Sequence, residues 1–256
     1  MREIETLAAA LAFAAVFLFG QRFEVRRKGW RRAAVSAGAG AAVAYVFVDL
    51  LPELGEAGES FVRATALQAL WYVESHVYVA ALIGFVVFYG LEHLVTWSRQ
   101  PTTDASGDAQ DSPVFVIHIG GFSAYVAMVS YMMVRGTGSA AVSVALYAVA
   151  MGLHFLSIDH SMLREHGAKY LWPGRFILAG AVLAGWACGT LIEIPALIGC
   201  TLMGLVAGGV IMNSTIMELP REKEGRFWAF LLGAAGYTII LLSLFACTDA
   251  GAGSGH

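Results

Sequence analysis

Long apolar segments alternate with short polar breaks along the whole chain. Eight segments are about 20 residues long, the length of helix that crosses a bilayer core about 30 Å thick. The predicted spans are 4–20, 33–52, 71–97, 113–134, 139–163, 175–194, 196–218 and 226–247. We therefore predict an all-α integral membrane protein with eight transmembrane helices, numbered one to eight in chain order.

The composition agrees with this pattern. Of the 256 residues, 58% are hydrophobic and 14% are charged, and a soluble domain of this size could not cover so much apolar surface. The first segment begins with Arg2, Glu3 and Glu5 rather than with the basic start of a signal peptide, so we expect it to be retained as a helix. The three cysteines lie within apolar runs and show neither disulfide nor metal-ligand spacing.

Basic residues are distributed unevenly between the two sides that this helix count defines. The connections after helices one, three, five and seven, with the adjoining helix ends, hold 13 of the 16 lysines and arginines, and the other side holds Arg2, Arg63 and Arg135. Because cytoplasmic loops carry an excess of Lys and Arg, we predict that both termini lie outside. The predicted location is the cell (inner) membrane, with the lipid bilayer as the main partner.

The chain is predicted to be one transmembrane domain. Its parts are helices one to three (1–97), a polar cytoplasmic linker (98–112), helices four and five (113–163), helices six to eight (164–247) and a flexible tail (248–256). The linker is rich in small and acidic residues, which is typical of a flexible connection.

Helices two and seven have similar ends. The stretches "AYVFVDLLPEL" (44–54) and "IMNSTIMELPRE" (211–222) both close with an acid shortly before a proline, and alignment on the prolines pairs Gly40 with Gly208. Because these helices cross the membrane in opposite directions, the likeness is what an inverted-topology repeat would leave, with helices one to three repeated in six to eight around four and five. Chance together with common helix-end chemistry is the alternative explanation.

Several polar side chains lie within the predicted spans, where they are costly and usually face a cavity or a partner. Counting 1.5 Å per residue from the helix ends puts His118 and His154 at a similar depth, roughly 7 to 14 Å from the cytoplasmic surface. Two histidines at one depth make a shared metal ion an alternative to separate hydrogen bonds to backbone carbonyls. On depth alone, His118 and His154 are therefore candidate metal ligands, with the separate hydrogen bonds left open. Further ligand or pathway candidates are Glu92, His93, Ser123, Ser157, Asp159 and Asn213, and gate candidates from the repeat are Asp49 and Glu218.

The end of helix five has a mixed character. His154, Ser157 and Ser161 share one face by their spacing, whereas Asp159 points elsewhere. The residues from Asp159 to His166 are interpreted mainly as a helix end at the cytoplasmic face, where cationic groups suit the helix dipole and the interface.

The whole pattern resembles the ZIP (Zrt/Irt-like protein) family of divalent-metal transporters. The likeness covers most of the chain: eight helices with outside termini, a polar loop after helix three, "DLLPEL" in helix two, "AGGVIMNSTIMELP" in helix seven, and histidines on helices four and five. The resemblance implies uptake of zinc, iron or manganese through a site between helices four and five. The metal would be the substrate, and we expect no required cofactor, no nucleic-acid partner and no enzymatic activity; a homodimer is compatible with the sequence.

The chain departs from the family at the expected ligands. In "HIGGFS" and "HFLSID" the histidines His118 and His154 are kept, and Asp159 echoes the acid that often ends the second motif. The other ligand positions carry Ile119, Phe122, Phe155 and Ile158. Because two imidazoles supply too few donors for a dehydrated divalent cation, we expect a reduced, atypical site that takes donors from other helices.

Two other functions fit parts of the sequence. A ZIP-like fold that has lost metal transport would move another solute or serve as a partner subunit, and a dry, apolar region around Phe122, Phe155 and Ile158 would favour it. An intramembrane metal-dependent hydrolase could use His154 and His160 with a nearby acid. Those two side chains diverge by about 120° around a helix, which argues against the hydrolase.

Overall fold

The fold is described from a computed structural model, which covers residues 2–20, 28–52, 54–56, 71–98, 107–136, 141–218 and 226–252. These residues form eight α-helices at the predicted positions and contain no strand. The helices are α1 Arg2–Phe19, α2 Lys28–Tyr45, α3 Trp71–Ser98, α4 Gly107–Arg135, α5 Ala141–His166, α6 Arg175–Leu191, α7 Ala196–Glu218 and α8 Phe227–Ala252. Two π-helical turns are also present, Val46–Leu50 after α2 and Tyr170–Gly174 before α6. The predicted all-α class is confirmed.

Six of the helices are long and apolar enough to cross a membrane. The candidate spans are Ser36–Glu56, His76–Trp97, Pro113–Arg135, Tyr170–Leu191, Leu197–Ser214 and Phe227–Leu244. Only 11% of the span in α8 is buried against the other helices, so most of this apolar helix is left to face lipid. The chain is therefore an all-helical membrane protein, and for α1 and α5 a membrane crossing remains a prediction.

Two helix ends identify the two ends of the bundle. Arg135, at the end of α4, marks what we call the upper end, and His166, at the end of α5, marks the lower end. At the upper end, Arg2 donates a hydrogen bond to the carbonyl of Val134 (2.9 Å), and Arg135 forms an ion pair with Glu193 (2.8 Å). These contacts join α1, α4 and the segment after α6.

The interior of the bundle is formed around α4 and α5. α4 packs against α3, α6 and α7, and α5 packs against α1, α2 and α7. In the outer pairs, α2 packs along α8 and α3 along α7. Gly40 of α2 faces the carbonyl of Phe230, and Gly208 of α7 faces the carbonyl of Ala81, so closely that a Cβ atom would collide in both places. Small residues at these crossings let the helix backbones approach each other.

Several helix boundaries differ from the sequence prediction. α2 begins at Lys28, and α8 continues to Ala252, so the first part of the predicted flexible tail is helical. α4 begins at Gly107, so part of the predicted linker is helical, because a polar helix start escapes a count of apolar residues. α5 continues to His166, and it ends where Gly167 adopts a positive φ of 50°, the usual conformation of a glycine that terminates a helix. The rest of the linker (99–106), the last residues of the tail (253–256) and Pro220 lie outside the described residues.

Candidate metal site between α4 and α5

Three side chains that can bind a metal meet between the lower ends of α4 and α5. His118 lies on α4, and Glu165 and His166 lie in the last turn of α5. The ring nitrogen His118 Nδ1 is 2.7 Å from His166 Nε2 and 3.9 Å from Glu165 Oε2. One ligand atom from each residue lies within 4.8 Å of the other two. We call these three residues the lower cluster.

Neighbouring side chains pack around His118 and orient the carboxylate of Glu165. His118 is 1% exposed, and the edge of the Phe122 ring packs against it at 5.0 Å between centroids. The hydroxyl of Ser161 donates to Glu165 Oε1 at 3.3 Å, and Arg164 lies 3.9 Å from the same oxygen. The other carboxylate oxygen, Oε2, is the one nearer to His118. The carboxylate is therefore held so that its two oxygens have different neighbours.

Glu92 on α3 approaches the other side of the His118 ring. Its Oε1 lies 3.7 Å from His118 Nε2, and its side chain is 5% exposed. Among the described residues, Nε2 of His118 has no hydrogen-bond partner. A carboxylate behind a metal-binding histidine is a common device for fixing the tautomer and the orientation of the ring.

The structure gives the two predicted ligand histidines different partners. His154 Nε2 is hydrogen-bonded to the hydroxyl of Tyr125 at 2.9 Å, and His154 is 1% exposed. Its Nδ1 has no hydrogen-bond partner among the described residues. Tyr125 lies seven residues above His118 on α4, about 10 Å along the helix axis. The two histidines therefore belong to different levels of the bundle, although the sequence count of depth put them at one level.

The other candidates from the sequence are distributed along the bundle. His93 is exposed and stacks on Tyr89. The hydroxyls of Ser123 and Ser157 donate to backbone carbonyls one turn earlier, those of Ile119 and Leu153.

Four further candidates have different surroundings. Asp159 is buried and accepts a hydrogen bond from the hydroxyl of Tyr170. Asn213 is 3% exposed, and its Nδ2 has no hydrogen-bond partner among the described residues. Asp49 is partly buried in the π-helical turn after α2. Glu218 is the last residue of α7, and its side chain lies outside the described part of the structure.

The positions where the resemblance expected ligands are apolar and packed. Ile119, Phe122, Phe155 and Ile158 are at most 5% exposed, and all four belong to the hydrophobic core. The ring of Phe155 packs against Phe13 and Phe17 of α1 at 5.0 and 5.3 Å between centroids. These four side chains therefore contribute no metal-binding atom beside His118 and His154.

The lower cluster has a donor set that suits a metal ion. Two imidazole nitrogens and one carboxylate oxygen are typical ligands of zinc and of other borderline divalent cations, and three protein ligands leave one position open. Sequence reasoning missed Glu165 and His166 because both were assigned to a helix end. Comparisons with protein-family models and with curated proteins find no match for this chain.

Proposed function

We propose that this chain is a membrane transporter of divalent metal ions whose site lies between α4 and α5 and is formed by the lower cluster. The observation that carries the proposal is the convergence of His118, Glu165 and His166, with ligand atoms within 4.8 Å of one another. Ionisable groups at membrane depth are costly, and they commonly mark the path of an ion or a substrate. Zinc is the first expected substrate, with iron and manganese as alternatives.

The coordination that these residues offer suits a transported metal ion better than a permanently bound structural ion. A zinc ion bound to His118 Nδ1, His166 Nε2 and Glu165 Oε2 would have an open fourth position, whereas structural zinc sites are closed. The two imidazole nitrogens are now 2.7 Å apart, and nitrogens that share one zinc ion are separated by about 3.3 Å. A small separation of the lower ends of α4 and α5 would therefore admit the ion.

Glu92 has a supporting role in this proposal. In the metal-free pair, one proton lies between His118 Nδ1 and His166 Nε2, and metal binding needs both of these lone pairs. A proton on His118 Nε2, stabilised by the carboxylate of Glu92 at 3.7 Å, leaves Nδ1 as the ligand. Glu92 is then a positioning residue that acts through His118.

The proposed architecture is the eight-helix, inverted-repeat arrangement of the ZIP family. A two-fold axis that exchanges α1–α3 with α6–α8 would place α2 on α7 and α8 on α3. The α2–α8 pair would then coincide with the α7–α3 pair, and both pairs are packed in the bundle. Gly40 and Gly208, which the sequence alignment pairs, each lie at a close approach within one of these pairs. These two correspondences support the repeat.

The proposed orientation puts the lower end in the cytoplasm. Arg164, Lys169 and Arg175 follow one another at the lower end, whereas Arg2 and Arg135 lie at the upper end. The excess of basic residues at cytoplasmic ends supports this direction. An ion taken up from outside would then leave from the lower cluster into the cytoplasm.

A second candidate function has its own supporting observation. Phe122, Phe155 and Ile158 belong to the hydrophobic core, and an apolar region around them supports a ZIP-like fold without metal transport. Such a protein would move another solute or serve as a partner subunit. The two candidates differ in whether the lower cluster binds metal.

The first test is bound metal on detergent-purified protein after equilibration with zinc, manganese or iron. Wild type is compared with His118→Ala, His166→Ala and His154→Ala, and His93→Ala is the matched control because His93 is exposed. We expect stoichiometric zinc in wild type, its loss in the variants of the lower cluster, and its retention in His154→Ala and in the control. Zinc flux into liposomes should follow the same order.

Two results would contradict the proposal. Zinc that is retained in His166→Ala but lost in His154→Ala would return the site to the pair of histidines expected from the sequence. Folded wild-type protein that binds none of the three metals would favour the second candidate.

A further inference from the structure

Two features of the described interior lie at opposite ends of the bundle. The lower cluster is one. The other is a cavity near the upper end, lined among others by Tyr45, Met132, Tyr147 and Met203, with room for about one water molecule. We call it the upper cavity.

On each of the two central helices, α4 and α5, one face runs from the upper cavity to the lower cluster. On α4, Met132 lines the cavity, Tyr125 lies seven residues below it, and His118 lies seven residues below Tyr125. Seven residues are nearly two helical turns, so these side chains lie on one face, at intervals of about 10 Å.

The antiparallel helix α5 repeats the same three levels. Tyr147 lines the upper cavity, His154 follows seven residues later, and Ser161 follows after seven more and donates to Glu165 of the lower cluster. The middle residues of the two stripes, Tyr125 and His154, are the two that are hydrogen-bonded to each other.

Aromatic rings complete this middle level. Phe88 of α3 packs against Tyr125 at 4.8 Å and against Phe122 at 5.4 Å between centroids, and Tyr125 packs against His154 at 5.8 Å. Together they form a continuous row of rings from α3 through α4 to α5, which we call the ring barrier. None of the four residues is more than 4% exposed.

The helix α7 packs against the ring barrier at Gly209. A Cβ atom at this position would lie 2.8 Å from Tyr125 Cε2 and 3.0 Å from the ring of Phe88. The absence of a side chain at Gly209 lets both rings lie directly against the backbone of α7.

We propose that the upper cavity and the lower cluster are two stations on one path between α4 and α5, and that the Tyr125–His154 hydrogen bond holds the ring barrier closed between them. The inference rests on the proposed function for the identity of what passes, whereas the barrier itself is defined by geometry alone. His154, a ligand position in the resemblance, thereby becomes a positioning residue of the closed state. Breaking its bond to Tyr125 would let the rings separate and connect the two stations.

The test measures access to a cysteine below the barrier, without any use of bound metal. In a cysteine-free background, Ser157→Cys puts a thiol one turn below His154. Silver ion is the thiol-blocking probe, because the upper cavity admits only a probe about the size of water. It is added to one face of sealed vesicles. Blocked thiols are scored by their failure to alkylate after denaturation. Glu193→Cys, at an exposed site of the upper end, identifies the face to which the probe must be added.

We expect slow blocking of the Ser157→Cys thiol from the upper face while the barrier is intact. Tyr125→Phe should accelerate it about tenfold, since losing one buried hydrogen bond shifts an equilibrium by up to about that factor. Tyr131→Phe is the matched control, because the Tyr131 hydroxyl donates to the carbonyl of Ile192 at the upper end. This control should leave the rate unchanged.

A second pair of variants tests the same bond from the other side. His154→Gln keeps a side chain that can hydrogen-bond to the Tyr125 hydroxyl and should keep access slow, whereas His154→Leu removes the hydrogen-bonding group and should open the path. Equal blocking rates in His154→Gln, His154→Leu and the parent protein would overturn the inference, as would rapid blocking with Tyr125 and His154 intact.

The barrier and the proposed function can fail separately. Zinc bound by the lower cluster together with unchanged access in Tyr125→Phe would leave the metal function standing and overturn the barrier. Faster access in a protein that binds no metal would support the barrier as part of a path for another solute.

Discussion

His118 and His166 share a hydrogen bond between Nδ1 and Nε2 of 2.7 Å, although they lie on different helices and 48 residues apart in the chain. Two imidazole nitrogens this close need only one cation to become ligands of the same site. The third donor, Glu165, precedes His166 directly, so the last turn of α5 supplies two of the three ligand groups. The lower end of α5 is therefore more than the end of a helix.

The role of Glu92 can be tested by changing its charge while keeping its shape. Glu92→Gln should weaken zinc binding by about 10- to 100-fold, as is typical when a carboxylate behind a ligating histidine is lost. Zinc affinity measured by competition with a chromophoric chelator gives the comparison. The matched control is Glu193→Gln, since Glu193 is exposed at the upper end and should leave the affinity unchanged. An unchanged affinity in Glu92→Gln would remove Glu92 from the site.

Zinc binding should weaken as the pH falls from neutral to mildly acidic. A protonated imidazole has no lone pair for a metal, so protons compete with zinc for the ring nitrogens of His118 and His166. Affinity should fall by up to about tenfold per pH unit for each competing proton. The measurement is a zinc titration at a series of pH values. His93→Ala should show the wild-type profile, and a profile without pH dependence would contradict imidazole ligation.

The helix positions could be predicted from sequence because a run of about 20 apolar residues specifies a membrane-length helix almost by itself. The partners of His118 could not be predicted from sequence, because they depend on the register between α4 and α5. Depth counted from the ends of the apolar runs pointed to His154, whereas α5 extends further to His166 and supplies its last turn. One signal was available: the face of His154 and Ser161, continued by one more turn, reaches Glu165.

Asp159 is expected to stabilise the fold rather than to bind metal. It accepts a hydrogen bond from Tyr170 and so joins α5 to the π-helical turn before α6. Tyr170→Phe should destabilise the protein by about 1–3 kcal/mol, because it leaves a buried carboxylate with one partner fewer. Thermal unfolding in detergent provides the measurement, and zinc stoichiometry should stay at the wild-type value.

A double-variant cycle separates this bond from other effects of the two changes. If the hydrogen bond is the main contribution, Asp159→Asn and Tyr170→Phe together should cost clearly less than the sum of the two single variants. Additive losses would mean that the two residues stabilise the fold independently. Loss of zinc in Asp159→Asn with unchanged stability would instead make Asp159 a ligand, as the sequence had allowed.

Gly209→Ala tests how tightly the ring barrier is packed. The new methyl group would lie 2.8 Å from Tyr125 Cε2 and 3.0 Å from Phe88, closer than carbon atoms pack, so either the rings or α7 must move. Overpacking of this kind costs about 1–3 kcal/mol, which outweighs the roughly 0.5–1 kcal/mol that alanine gains over glycine within a helix. The expected result is a lower unfolding temperature in detergent than that of Gly199→Ala. Gly199 is the matched control because it lies on the same helix with no atom within 4 Å of its Cβ position.

The same variant shows which part of the packing gives way. If the rings move, the Tyr125–His154 bond is disturbed, and the thiol of Ser157→Cys should be blocked faster from the upper face than in Gly199→Ala. If α7 moves instead, the row of rings stays intact and stability falls without a gain in access. A Gly209→Ala protein as stable as the Gly199→Ala control would mean that the rings have room to spare, and close packing against α7 could then not contribute to closing the path.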